Sequence, residues 1–352
     1  MNAAKATLLV LLLVISAEAA TALAFRAIII DRLRVHWRLD AAEAIKELTD
    51  EHIATFRDQF HDPLLGWVFK PTTTTIPYAT FNERGARRDP LASSGRIVAY
   101  GDSFTFGEDV ANDETWPHLL GAMLGDGVAN FGVAGYGPDQ ALLRMRRDLE
   151  NGSGPEVVIL GVLSENIARV VNGWRYLYTG DEVLNFKPMW DGKWLPNPLT
   201  TLTDRESVSA AAAQTLSDYW QTYNATRPSP RFPYLWTTLD TAHYLAFRMR
   251  RWQDLWRDAR AVRNMTAIVD EFVALGQQYG FRPVLLMIPM PDDLTQAPVY
   301  AKFAEEASSR VAVVDPLGHL FERDRFNLRP YAGHASAYGN QVIADAVFAA
   351  LE

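Results

Sequence analysis

The run Arg96-Ile-Val-Ala-Tyr-Gly-Asp-Ser-Phe-Thr-Phe-Gly107 decides how the rest of the 352-residue chain is read. Its apolar, β-prone start stops at Gly101-Asp102-Ser103 and then enters a turn, which predicts a strand over 97–100 presenting a hydroxyl at its C-terminal end. Ser103 is a candidate nucleophile if a base removes its proton, because an isolated serine hydroxyl attacks poorly at neutral pH. By itself Gly-Asp-Ser is more often a turn in which Asp or Ser bonds nearby backbone.

Outward from this run, short apolar stretches at 128–133, 157–163, 283–288 and 311–314 alternate with helical patterns near 116–124, 139–149, 265–279 and 299–309. Near-continuous apolar strands separated by helices predict an α/β fold, a three-layer α/β/α sandwich around a mostly parallel five-stranded sheet. Reactive groups in such a fold gather at the C-terminal ends of the strands. The alternation is interrupted between about 170 and 262 by an insertion holding seven of the ten tryptophans, Trp174, Trp190, Trp194, Trp220, Trp236, Trp252 and Trp256. Its second half carries helical stretches at 207–222 and 239–262. The aromatics either line a groove for a sugar or acyl chain or supply apolar area to a small core, and the core reading is preferred. Arg248, Arg250, Arg251, Arg257, Arg260 and Arg263 read as a solvated face paired with Asp254 and Asp258, or as a contact for anionic lipid or acidic polysaccharide.

Three further blocks fall where strands end. Asn130-Phe-Gly-Val-Ala-Gly135-Tyr-Gly-Pro-Asp-Gln140 follows the second strand, and glycine there lets backbone N–H groups approach a ligand. Ser164-Glu165-Asn166 follows the third strand and puts the Asn166 carboxamide on the same rim, as a cap or as an oxyanion donor. His334-Ala-Ser-Ala-Tyr-Gly-Asn340 precedes a terminal helix and supplies a base for Ser103. His36, His52, His61, His118 and His243 lack such a setting, whereas His319, after the fifth strand, remains a second candidate.

Assembled in this order, the four blocks resemble the SGNH, or GDSL-type, hydrolase superfamily, in particular its bacterial membrane-associated members. The likeness runs from about Ile97 to Leu351, apart from most of the insertion. The resemblance implies Ser103 as nucleophile, His334 as general base, and Gly135 and Asn166 with the Ser103 amide as the oxyanion hole. Phe81-Asn-Glu-Arg-Gly-Ala-Arg-Arg-Asp89 is similar to the lead-in of those members. Two positions depart from the pattern. Tyr331 stands where the family carries the Asp that orients the histidine, and Ser164-Glu165-Asn166-Ile167 replaces Gly-x-Asn-Asp. A backbone carbonyl or Asp324 is then left to orient His334.

The N-terminus sets the address. Ala6 to Phe25 is apolar except for Ser16, Glu18 and Thr21, with Lys5 before it and Arg26, Arg32, Arg34 and Arg38 after it. As a helix it is about 30 Å long, enough to cross a bilayer core. It reads as an uncleaved anchor, or as a signal peptide with Leu8 to Ile15 at its centre and Ala17-Glu18-Ala19 at its cleavage site. The folded part is expected outside the cytoplasm, anchored or secreted, although basic residues flank the run on both sides and more heavily downstream. The chain divides into an anchor or signal segment at 1–35, a connector and lead-in at 36–95 with an amphipathic helical pattern at 40–60, and the hydrolase-like domain at 96–352.

Composition narrows the chemistry. There are 34 Lys and Arg against 42 Asp and Glu, a net charge of −8 that disfavours a nucleic-acid partner. The absence of cysteine removes thiolate nucleophiles and Cys-bound metal. The seven histidines show no HExxH pair, so no metal and no cofactor is expected. The sequence therefore points to a serine-dependent ester hydrolase or O-acyltransferase acting on an acyl ester or an O-acylated saccharide of the envelope. The alternative is an inactive relative that binds polysaccharide through the Trp-rich insertion, in which His334 points away from Ser103.

Overall fold

The computed structural model describes residues 3–24, 37–92, 95–152, 154–215, 219–319, 321–327 and 333–352. Tyr331, His36, Arg26, Arg32 and Arg34 lie outside the described residues.

Five strands form one parallel sheet: β1 (Ile97–Gly101), β2 (Val128–Gly132), β3 (Val157–Leu163), β4 (Arg282–Ile288) and β5 (Ala312–Val314). Their spatial order is β2-β1-β3-β4-β5, the doubly wound arrangement. Register runs in step across the sheet, with Ile97 opposite both Val128 and Val157, and Val157 opposite Arg282. Burial on both faces explains why the strands read as unbroken apolar runs. Val98, Tyr100, Val158, Leu160, Leu285 and Met287 face one core, and Ala99, Ile159, Val284, Leu286 and Ile288 face the other.

Helices cover both faces. α2 (Trp116–Leu124), α3 (Pro138–Glu150), α5 (Ala259–Tyr279), α6 (Ala301–Ser308) and α7 (Ala337–Leu351) are among them, while α1 (Ala3–Ala24) and α4 (Tyr234–His243) lie apart from the sheet. Leu142 and Met145 of α3, with Met265, Ile268 and Phe272 of α5, fill the first core. Trp116 and Leu120 of α2, with Ile343 and Val347 of α7, fill the second. α1 is long and apolar enough to cross a membrane and buries none of its length in the protein.

Two segments differ from the sequence expectation. The connector is part of the core, since Ile45, Leu48, Ile53, Trp67, Phe69 and Phe81 are buried in the first cluster. Its helical pattern breaks into Ala41–Lys46 and Asp50–Gln59 because Thr49 caps the second helix by accepting the His52 N–H at 3.1 Å. The stretch at 239–262 is likewise divided. Asp258 accepts the N–H groups of Arg260 and Ala261 and so starts α5 afresh, while Asp254 accepts that of Arg251. Both aspartates serve backbone rather than the arginine run, and Arg260 pairs instead with Asp191 at 2.7 Å.

Candidate active site

The rim at the C-terminal edge of β1, β2 and β3 collects the side chains singled out above. β1 ends at Gly101. Asp102 then caps the four-residue helix Ser103–Phe106 by accepting the Phe104 N–H at 3.0 Å, so Ser103 occupies its first position. First-turn N–H groups have no intrahelical partner, which leaves the Ser103 amide on the rim beside its own hydroxyl.

Ser103 Oγ lies 3.0 Å from His334 Nε2, although the two residues are 231 positions apart. His334 therefore faces the serine. His319 is exposed and does not occupy that place. A strand bridge between Asn327 and Ala335, and a 2.8 Å bond from Asn327 Nδ2 to the Gly333 carbonyl, fix the backbone on either side of His334. The Phe104 ring sits 5.1 Å from the imidazole.

The partner of His334 Nδ1 is Asp109, whose Oδ2 is 2.9 Å away. Asp324, expected from sequence to orient the histidine, does not hold that place. It lies in the short helix Arg323–Phe326, while the loop just after Ser103 delivers a carboxylate directly. Asp109 has φ +70, a left-handed conformation that Asp tolerates better than most residues. The sequence signal for it was the acidic pair Glu108-Asp109 six residues past the serine, on the near side of the chain rather than beside the histidine. Glu108 Oε2 is 3.5 Å from His334 Nε2. Burial raises the Glu108 carboxyl above its ordinary pKa, and the nearby His334 partly opposes that shift.

Arg87, from the lead-in block, braces this loop. Its buried guanidinium donates from Nη1 to the carbonyls of Phe106 and Gly107 at 2.9 and 2.7 Å, from Nη2 to Val110 at 2.8 Å, and from Nε to Asn112 at 2.6 Å. Burial lowers its pKa to about 10, which leaves it cationic at neutral pH. Gly107 takes φ +79 between two of these contacts, where a Cβ would come within 2.5 Å of the Thr115 side chain.

Gly135 and Asn166 share the rim. Gly135 sits at φ +81, and a Cβ there would meet Arg175 Nε at 3.1 Å and Trp67 at 3.3 Å. Trp67 Nε1 donates to the Ala134 carbonyl at 2.9 Å and Arg175 Nη1 to the Gly135 carbonyl at 3.1 Å, so the loop is held from both sides. Asn166 does two things. Its Oδ1 accepts the Leu163 N–H at 3.0 Å, and its Nδ2 donates to Asp102 Oδ2 at 2.9 Å. The nitrogen carries two N–H groups, so one bond to Asp102 does not exhaust it.

A charge network lies beneath. Arg169 bridges Asp102 at 3.2 Å and Glu165 at 2.7 Å. Burial pushes the Glu165 carboxyl up, but Arg169, Tyr178 and Arg175 outweigh it and leave the pKa below the ordinary range. The Trp-rich insertion supports the same turn, since Trp220 and Trp256 donate their indole N–H to the carbonyls of Ala168 and Ser164. Among the described residues no group of three or more histidine or acidic side chains is placed to hold a metal.

No family model matches this sequence, and no curated protein matches it. Solved structures do. The chain is similar to a lipolytic protein of the G-D-S-L family from Desulfitobacterium hafniense DCB-2, at 15% identity over 73% of this chain and 99% of that one, with a TM-score of 0.37. It is also similar to a member of the lipolytic protein G-D-S-L family from Veillonella parvula DSM 2008, at 12% identity over 72% and 96%, with a TM-score of 0.38. TesA matches at 12% identity over 73% and 97%, with a TM-score of 0.39.

Proposed function

We propose that this chain is a serine-dependent ester hydrolase or O-acyltransferase that works through an acyl-serine intermediate. The observation that carries the reading is the chain of contacts from Ser103 Oγ to His334 Nε2 at 3.0 Å and from His334 Nδ1 to Asp109 at 2.9 Å. These contacts support Ser103 as nucleophile, His334 as base and Asp109 as orienting carboxylate.

In the first half-reaction Ser103 Oγ bonds to the ester carbonyl carbon while its proton passes to His334 Nε2. The carbonyl π pair moves onto oxygen, where the Ser103 and Gly135 amides and the free N–H of Asn166 stabilise it. Asp109 stabilises the imidazolium. Collapse breaks the bond to the leaving alkoxide, which takes the proton from His334 and departs as an alcohol. In the second half an acceptor O–H gives its proton to His334 as its oxygen bonds to the acyl carbon; collapse breaks the bond from that carbon to Ser103 Oγ, which recovers the proton from His334. Water as acceptor makes the reaction hydrolysis, and a sugar hydroxyl makes it O-acyl transfer to an envelope glycan. The apolar α1 supports a site of action at a membrane, and the folded part is proposed to lie on the outer face.

Purified protein assayed on a p-nitrophenyl ester series, beside Ser103→Ala and His334→Ala, tests the reading. Loss of turnover in both variants with unchanged circular dichroism supports it, and turnover equal to the parent's in Ser103→Ala removes it. Acylated glycan offered as a competing acceptor separates transfer from hydrolysis. External protease on spheroplasts should digest the folded part, and protection would reverse the topology.

A further inference from the structure

α1 carries one acidic residue within its apolar run, and that residue has a specific partner. Glu18 accepts the backbone N–H groups of Tyr234 and, at 2.9 Å, Leu235, the first two residues of α4. The preceding residue, Pro233, has no side chain able to cap the helix, and Glu18 fills that role from a different helix. A carboxylate within a membrane helix is costly unless it is paired, and here two orphan donors pair it.

The contact also fixes depth. Glu18 lies about 9 Å along the α1 axis from its end at Ala24, at 1.5 Å per residue, in a helix long enough for a hydrocarbon core of about 30 Å. In a 22-residue helix centred on that core, Glu18 and the start of α4 lie about 7–8 Å inside the hydrocarbon edge, within the about 5–10 Å to which the apolar face of an interfacial helix sinks.

The side chains around α4 match that depth. Phe232 is 70% exposed, Trp236 68%, Leu239 58% and Phe247 79%. Trp236, Leu239 and His243 share one stripe of α4, Phe232 just precedes the helix, and the His243 ring lies tilted against Phe247 at 5.3 Å in the π turn that follows. Elsewhere in the described domain tryptophan and phenylalanine side chains are turned largely inward, with Trp116, Trp174, Phe186 and Phe272 fully buried. Exposed Arg231, Arg248, Arg250 and Arg251 flank the stripe. The facing acid is Asp240, which pairs with Arg248 at 2.5 Å. Aromatic and aliphatic side chains beside a basic rim are the composition of an element lying in an anionic lipid interface.

We propose that the 232–247 segment is a second membrane contact, an interfacial helix seated in the lipid surface and docked through Glu18 onto a retained α1 anchor. Cleavage at Ala17-Glu18-Ala19 would remove its cap. The rim that carries Ser103 is then held at the bilayer by two attachments rather than one flexible tether, whichever reaction it performs.

The absence of cysteine makes the test clean. Trp236→Cys, Leu239→Cys, Phe247→Cys and, as control, Leu91→Cys are each labelled with an environment-sensitive dye. The full chain is then reconstituted in phosphatidylglycerol-containing vesicles with spin-labelled lipid as quencher. The three test positions are expected to be quenched at least about twofold more than position 91, as for a face buried in the headgroup–acyl boundary. Quenching equal to that at position 91 overturns the proposal. So does shielding from aqueous iodide that grows with protein density without lipid quenching, because a second copy would then cover the face. Adding Glu18→Leu to Trp236→Cys should lower the lipid quenching there while circular dichroism stays unchanged. Undiminished quenching would overturn the docking role of Glu18.

Discussion

Replacing Asp109 by Asn probes the carboxylate that reaches His334 from a loop 225 positions earlier in the chain. In the parent the carboxylate accepts from His334 Nδ1 at 2.9 Å. In the proposed mechanism it favours the tautomer whose Nε2 is free to take the Ser103 proton and stabilises the imidazolium that follows. Asparagine has no charge, and its N–H₂ can bond to Nδ1 and hold the wrong tautomer. Opposite unit charges about 4 Å apart attract by about 1 kcal/mol when screened as in water and about 4 kcal/mol at an effective dielectric of 20. The His334 and Asp109 side chains are 12% and 34% exposed, which places the pair between those limits. A loss of about 2.7 kcal/mol of transition-state stabilisation corresponds to about a hundredfold fall in kcat. The assay is kcat on p-nitrophenyl acetate for the parent, Asp109→Asn and Asp324→Asn, with thermal melts as a folding control. Asp324→Asn should match the parent. An Asp109→Asn rate within about threefold of the parent, or an equal fall in Asp324→Asn, would refute the reasoning.

Arg87→Lys removes a planar fork that serves four acceptors in the 106–112 loop. It should lower stability by about 2–4 kcal/mol in urea titration and lower kcat more than it raises KM, because the Asp109 loop loosens; an unchanged midpoint and rate would deny the brace. Lys187→Met leaves the Asp139 carboxylate, paired at 2.6 Å with both side chains fully buried, without its cation. The expected loss is about 3–5 kcal/mol in denaturant unfolding, and a neutral result would show that water or rearrangement reaches Asp139. Glu108→Gln tests the sign of a pKa shift. Burial raises the folded-state carboxyl, with His334 in partial opposition, so ionised Glu108 costs stability above the ordinary carboxylate range. The variant should melt higher than the parent at pH 8, with the gap closing as pH falls into that range; a gap that widens on acidification would contradict it.

The sheet was legible because both its faces are buried and its strands consequently carry almost no polar residues. The same punctuation put Ser103, Gly135 and Asn166 at adjacent strand ends, where a parallel sheet brings them together without further instruction. His334 was legible from its place before the last helix. Asp109 was not, because its role depends on a left-handed turn that carries it back over the serine and on a histidine 225 positions later. Arg87 was hidden for a related reason, since four of its bonds go to a loop whose path no periodicity reveals. The divided helix at 239–262 shows the converse. Its apolar spacing suggested continuity, but Asp258 carries a local capping preference strong enough to restart the helix.

On the proposed mechanism Ser103 carries the acyl group. Protein mixed with excess activated ester, quenched in acid during the first turnovers and mapped by peptide mass spectrometry, should show one added acyl group on the peptide containing Ser103. The adduct should disappear in Ser103→Ala and build up in Asp109→Asn if deacylation slows more than acylation. An acyl group on any other residue, or steady turnover with the Ser103 peptide never modified, would contradict the account.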